Sequence, residues 1–370
     1  MSTARLSFAL DLHRELSADP GHNSCYSPYS VASALGMVSQ AASGDTRAEL
    51  LDLLLGDREG EFGKRAELLA SAAILDPPRA GAPEVPTLAV ANGLWAAEDL
   101  PINPDFLVDL AGWPGAKLAT APFRADPEAA RGRINADVAE TTRQLIPELI
   151  PAGQLGPATV AALVNAVYLR VAWRARFAAR QTEPDTFHAP DRDYPVSMMR
   201  QTEQLGYAAG DGWQVVRLPA EGGVEAVVLL PDGELGAAEA ALDGPRLGAL
   251  LDAPRQTRVR LSLPRFEVRA AAELSSALGT LGVRRLFGSG AELTGLSSDT
   301  RLAVSAALHE AVLRVDEEGL EGAAATAVLV RMVAMPRDEP VEVTVDRPFL
   351  FLVRHAATGE IYFFARIAHP

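Results

Sequence analysis

No disulfide can form within this chain, which has a single cysteine, Cys25, among 370 residues. A bridge needs two, so cysteine usage says nothing about the redox compartment. Cys25 lies in an apolar run and reads as a small buried hydrophobe. Lysine is nearly missing as well. It stands only at 64 and 117, the other cations are arginines, and the net charge is −14. A polyanion with no basic stripe between aromatics does not attract a phosphate backbone, which argues against nucleic acid as a partner. No run approaches the ~18 uninterrupted apolar residues of a membrane-spanning helix, so no membrane partner is expected. The amino end, MSTARLSFALDLHRELSADP, has no apolar block followed by a small-residue cleavage site and does not read as a signal peptide.

Enzyme signatures are absent too. There is no Walker-type phosphate loop, no G-x-S-x-G elbow and no C-x-x-C pair. The histidines, at 13, 22, 188, 309, 355 and 369, have no metal-ligand spacing, and no metal site is expected. A hydrolase triad can be drawn from Ser27, His309 and some aspartate, but nothing local activates Ser27.

What is present is an ordinary globular composition, 48% hydrophobic and 22% charged, with ample apolar surface to bury. The candidate linkers, 76–86 and 219–225, are short and loop-like, so the chain reads as one domain over 1–370. Helical patterns come first. Residues 4–17 suit an amphipathic helix, and 27–42 a central one, with Pro28 in its first turn and Ser27 or Asn23 near the cap. The stretch 44–55 follows, capped by Asp45 or Thr46, and 126–146 is a long surface helix with an acidic first turn. Strand patterns then take over, at 159–173, as a pair over 213–231, at 257–270, at 301–319 and as three strands over 341–370. Helices before strands is an α+β order, not an alternating βαβ one.

One stretch fits neither pattern. VDEEGLEGAAATAV, 315–328, follows a strand candidate and is built mostly of small residues. Alanine favours a helix, and composition alone permits one here. Yet alternate residues from Leu320, namely Gly322, Ala324, Thr326 and Val328, carry no charge. Such a segment tolerates both a solvated loop and a buried strand.

This stretch resembles the hinge of the serpins, a family of protease inhibitors. Further motifs fall in family order: NSCYSPYSVASAL (23–35), LVNAVYLRVAWRARF (163–177), YPVSMM (194–199), LSLPRFEV (261–268), VSAALHEAVLRVDEEG (304–319) and DRPFLFLVRHAATGEIYFFARIAHP (346–370). The resemblance runs from about residue 6 to the last residue. It implies a metastable α+β serpin fold: a large central mixed β-sheet with additional sheets, eight or nine helices, and an exposed reactive-centre loop at about 317–340. It implies a suicide substrate for a serine protease, in some members a cysteine protease, acting through conformational change. The cut loop inserts into the central sheet and traps the enzyme covalently. No cofactor and no catalytic residue are implied, and the chain is expected to be a monomer. A bacterial cytoplasmic protein fits the missing signal peptide, the heavy use of Ala, Gly and Pro, and Arg in place of Lys; export by another route is the alternative.

Carried over by position, the hinge is Glu317, Glu318, Gly319, Leu320, Glu321, Gly322, Ala323, Ala324, Ala325 and Thr326. The shutter, a polar cluster under the sheet, is Ser27, Ser30, Asn165 and His309, with Asn165 and His309 hydrogen-bonded. Trp173 and Arg265 match the breach, where insertion begins, and Arg265 is expected to pair with Glu317. Spacing from Glu317 puts the reactive bond at Val333–Ala334, while spacing from Phe349 favours Ala334–Met335; Met332 is the neighbouring alternative. A small apolar side chain suits an elastase-like or subtilisin-like pocket, and Arg331 would suit a trypsin-like one. Departures from the family pattern are Leu320 for Thr or Ser, Gly322 for Ala, and Ala365 for Gly, where local repacking is expected. Leu320 is expected to slow insertion by its bulk. That leaves a non-inhibitory serpin, cleaved as a substrate or acting by binding or as a chaperone, as the alternative.

Overall fold

A seryl hydroxyl starts the helix expected over 27–42. Ser27 Oγ accepts from the Ser30 N–H at 3.1 Å, and Pro28 fills the first turn, where no donor is needed. Small residues then let it be enclosed on almost every side, from Pro28 to Ala41.

The computed structural model describes residues 3–56, 59–82, 84–110, 112–299, 302–321 and 339–370. Its helices are α1 (Thr3–Leu16), α2 (Pro28–Ala41), α3 (Gly44–Leu55), α4 (Phe62–Ala72), α5 (Pro104–Leu110), α6 (Pro127–Thr141), α7 (Leu235–Ala240), α8 (Gly244–Asp252) and α9 (Leu274–Thr280). Its strands are β1 (Ser24–Tyr26), β2 (Thr87–Ala97), β3 (Ala116–Ala121), β4 (Ala161–Ala172), β5 (Glu183–His188), β6 (Asp193–Gly210), β7 (Trp213–Pro219), β8 (Val224–Pro231), β9 (Arg255–Pro264), β10 (Phe266–Glu273), β11 (Val304–Val315), β12 (Gly319–Leu320), β13 (Val341–Thr344), β14 (Phe349–His355) and β15 (Ile361–Ile367).

The strands form two mixed sheets. Nine of them run β1-β15-β14-β8-β7-β6-β9-β13, with β5 joined to β6. Six run β10-β11-β12-β4-β2-β3. Packed between the sheets, α2 touches β15 of the larger and β2 and β4 of the smaller. This is an α+β architecture, as the order of patterns implies. The apolar runs of β14 and β15 are buried along their whole length. The charges within them are paired: Arg354 donates to Glu225 at 2.7 Å and Arg366 to Glu239 at 2.5 Å. Ala365 sits between Cys25 and Phe351 in the register, fully buried.

On its other face the six-stranded sheet carries α6. Ala130, Ile134 and Val138 of that helix are buried in a second apolar cluster with Trp95, Val164 and Tyr168. Three local expectations need correction. The strand expected at 257–270 is two, β9 in the larger sheet and β10 in the smaller, broken at Arg265. The N-cap of α3 is Ser43, not Asp45 or Thr46, and Glu292 accepts the Asp45 N–H instead. Helix α6 stops at Thr141, short of 146. Arg143 and Gln144 follow in left-handed backbone, φ 51° and 65°, and end the helix.

Candidate functional site

Strands β4 and β11 are parallel neighbours, paired from Val304↔Ala161 to Ala311↔Val167. Beyond that they diverge. The chain leaves β11 at Val315 and reverses at once, because Asp316 Oδ1 accepts the N–H groups of Glu318 and Gly319 at 2.9 and 3.1 Å. It returns as β12, antiparallel to both neighbours: Gly319 faces Ala172, and Leu320 faces Val171 on one side and Val315 on the other. Only glycine fits at 319. A Cβ there would lie 2.1 Å from the Val171 carbonyl oxygen and 2.8 Å from Ala172 Cα. Leu320 is 1% exposed, so the bulky departure from the family pattern is already seated in the sheet. Glu321, next in line, has a left-handed φ of 51° and gives its N–H to the Arg314 carbonyl at 3.0 Å. Its Oε2 is buried without a hydrogen-bond partner, and burial pushes its carboxyl up despite Arg314 and Arg170 nearby.

Polar contacts anchor the turn at this upper end. Arg265 donates to Glu317 from Nη2 at 2.5 Å and Nε at 3.2 Å, and Thr182 Oγ1 donates to it at 2.7 Å. Burial alone would raise the Glu317 carboxyl. The Arg265 and Thr182 hydrogen bonds outweigh that and hold it below the usual range. Trp173 Nε1 donates to the Asp316 carbonyl at 2.8 Å, and its backbone N–H to that of Glu318 at 2.9 Å. Arg176 pairs with Glu318 at 2.7 Å.

Lower down, a polar row crosses the seam. His309 on β11 lies opposite Asn165 on β4, which lies opposite Asn92 on β2. His309 Nε2 accepts the Ser27 backbone N–H at 3.0 Å, so Nδ1 carries the proton and donates to Asn165 Oδ1 at 2.5 Å. Asn165 Nδ2 reaches Ser30 Oγ (2.6 Å), the Ser30 carbonyl (2.9 Å) and Asn92 Oδ1 (2.5 Å). Asn92 Nδ2 in turn donates to the Pro114 carbonyl at 2.9 Å. Burial, partly opposed by Asn165, lowers the imidazole pKa to about 4. The ring is therefore neutral at ordinary pH.

The residues assigned from sequence thus gather in two places. Ser27, Ser30, Asn165 and His309 form one cluster; Trp173, Arg265, Glu317 and Glu318 form the other, beside β12. Gly322, Ala323, Ala324, Ala325 and Thr326, with Met332, Val333, Ala334 and Met335, lie outside the described residues. Sequence reading passed over Asn92, Thr182, Arg176 and Asp316. Only Asn92 had a signal, a lone amide in the apolar run LAVANGLW (88–95). The arrangement does not form a nucleophile–base pair. Ser27 Oγ is fully buried as a helix cap, and His309 faces the Ser27 backbone, not its hydroxyl. Among the described residues no group of three or more His, Cys, Asp or Glu could hold a metal ion, and no helix is long and apolar enough to cross a membrane.

Comparison with known proteins agrees with this architecture. The chain is 34% identical to the leukocyte elastase inhibitor of Sus scrofa, an alignment covering 100% of this chain and 99% of that one. It is 32% identical to a serpin-like protein of Thermococcus kodakarensis, over 98% of this chain and 84% of the other. Among solved structures, uncleaved ovalbumin superposes with a TM-score of 0.87 at 26% identity, covering 100% and 99% of the two chains. Thyroxine-binding globulin in complex with thyroxine gives 0.87 at 25% identity, covering 100% and 98%. A family model described as serpin, serine protease inhibitor, matches residues 3–370, and the chain belongs to the serpin family.

Proposed function

We propose that this serpin inhibits a serine-type protease as a suicide substrate: its loop is cut, inserts into the seam between β4 and β11, and holds the enzyme as a covalent complex. The observation that carries this reading is Leu320, seated between Val171 and Val315 before any cleavage. A strand has begun there. The next residue, Glu321, holds a strained backbone and an unpartnered buried oxygen. Left-handed backbone costs a non-glycine residue ~1 kcal/mol, and extension as a strand removes that strain. Each further residue pairs with both neighbours. A dozen of them, at ~1 kcal/mol per hydrogen bond, contribute on the order of ten kcal/mol, to which buried apolar surface adds. That is enough to distort a protease held at the loop end.

Leu320 also bears on the choice between inhibitor and plain substrate. A bulky residue that had to enter after cleavage would favour deacylation, but here it is in place beforehand. The target we favour is elastase-like or subtilisin-like. Val333 or Ala334 offers a small apolar side chain, and relatives over the full length carry the name leukocyte elastase inhibitor. The test is to mix purified protein with elastase- and subtilisin-type proteases and run denaturing gels with mass spectrometry. A boiling-resistant band at the summed mass, with release of the peptide beyond the cut, is the expected result. Cleavage of the loop with no covalent band would establish a substrate and defeat the inhibitor reading for those enzymes.

A further inference from the structure

Just past α6, the chain makes contacts on both sides of the seam. The Arg143 guanidinium lies 5.4 Å from the ring centroid of Tyr168 on β4. The Leu145 carbonyl accepts from Nη2 of Arg269, on β10, at 2.6 Å. Strand β11 separates β10 from the seam, so the contacts made by residues 143–145 fall on both sides of it. Leu145, Ile146 and Leu149 share one buried cluster with Val164 and Tyr168 of β4 and Leu308 and Val312 of β11. Helix α6, at the other end, packs on β2 and β3. The connection from α6 to β4 is a strap with attachments on both sides of the seam.

Arg269 fastens its far side. While Nη2 holds the Leu145 carbonyl, Nη1 donates to Glu310 Oε1 at 2.9 Å. Glu310 lies on β11, the strand that flanks the seam, and is 3% exposed. A planar guanidinium can hold both acceptors at once, where an ammonium is a single point charge. The height of this clasp matters. Val312 pairs with Arg269, and Ala311 pairs with Val167, the residue before Tyr168. Leu320 sits opposite Val171 and Val315. From Val171 to Tyr168, and from Val315 to Val312, is three residues, so a strand continuing that register meets the strap three residues beyond Leu320.

We propose that Arg269 is a clasp on this strap, and that release of its bond to Leu145 limits the rate at which a strand enters the seam below Leu320. The proposal rests on the loop-insertion reading. It makes Arg269 a positioning residue that acts through the strap.

The test uses the full-length protein and a synthetic peptide with the sequence of residues 322–333, its uptake followed by native gel and mass spectrometry. Uptake by Arg269→Ala is expected to be about tenfold faster than by wild type, the worth of one charge-assisted hydrogen bond. Because that variant also leaves Glu310 unpaired, the deciding variant is Arg269→Ala with Glu310→Ala, which removes the buried acid but leaves the strap unfastened. A clasp predicts that the double variant stays fast and that Arg269→Lys falls between. A double variant that returns to the wild-type rate would assign the effect to the stranded carboxylate and overturn the clasp, as would a wild-type rate in every variant. No uptake by any form, together with no covalent trapping, would remove the loop-insertion reading and the clasp with it.

Discussion

At the residue scale, His309 makes the seam pH-sensitive in one direction. The folded protein holds the imidazole neutral, with its pKa lowered to about 4 by burial, against an ordinary value of 6.5. Between those values the unfolded chain binds a proton that the folded chain refuses, so stability rises with pH through that window. The contribution is complete above about pH 6.5 and is lost as pH falls toward 4. Its size is on the order of 3 kcal/mol. His13 and His355 are lowered too, burial being the first cause in each, and they act in the same direction. The share of His309 is therefore read by difference. His309→Gln can accept from the Ser27 N–H and donate to Asn165 without titrating. Its thermal midpoint is expected to fall less than that of wild type between pH 7 and 4; parallel curves would clear His309 of the effect. Much of this cluster was legible in sequence, because Ser27, Ser30, Asn165 and His309 stand in recognisable motifs. Asn92 shows in sequence only as a lone amide in an apolar run, and its pairing was not legible, since its partner lies 73 positions away and only the strand register brings them together.

At the scale of elements, the two-residue strand β12 decides how the loop starts. Sequence patterns located β4, β11, the pair β7 and β8, and the last three strands to within a few residues, because apolar runs and alternation mark them directly. No pattern could distinguish a helix from a loop or a strand at 319–320, since small residues permit all three. The choice comes from tertiary fit: Asp316 turns the chain, and the gap between β4 and β11 admits a glycine backbone followed by a leucine side chain. Gly319→Ala tests that fit. The atoms its methyl would strike are backbone, Val171 O and Ala172 Cα, and backbone cannot rotate aside. The variant is expected to expel β12, uncover Leu320 at a cost of roughly 2 kcal/mol, and speed hydrogen exchange of the 319–321 amides. Protease mixed with it is expected to give more cleaved product and less covalent complex than wild type. Unchanged exchange at those amides would mean the sheet adjusts to the methyl.

For the whole molecule, the same seam sets a relation between cleavage and stability. An intact chain of this architecture keeps β4 and β11 in direct parallel contact below Leu320, closed over by the strap, and leaves Glu321 strained and with a buried oxygen unpaired. Extending the strand past Leu320 would relieve that strain and give each added residue partners on both sides. Cutting the loop frees a segment that can complete the strand, so cleavage should stabilise this protein, although breaking a chain normally loosens one. The gain estimated from strand pairing, on the order of ten kcal/mol, corresponds for a chain of this length to a rise in thermal midpoint of roughly 10 °C or more. The measurement is thermal unfolding of the protein before and after a single loop cut by a protease it does not trap, with mass spectrometry to confirm one cleavage. A higher midpoint after cleavage is expected even in a variant that fails to trap protease, because insertion needs no enzyme attached. An unchanged or lower midpoint would show that the cut loop stays outside the sheet. The seating of Leu320 would then be a fixed structural anchor for the turn at Asp316, with no role as the first step of insertion.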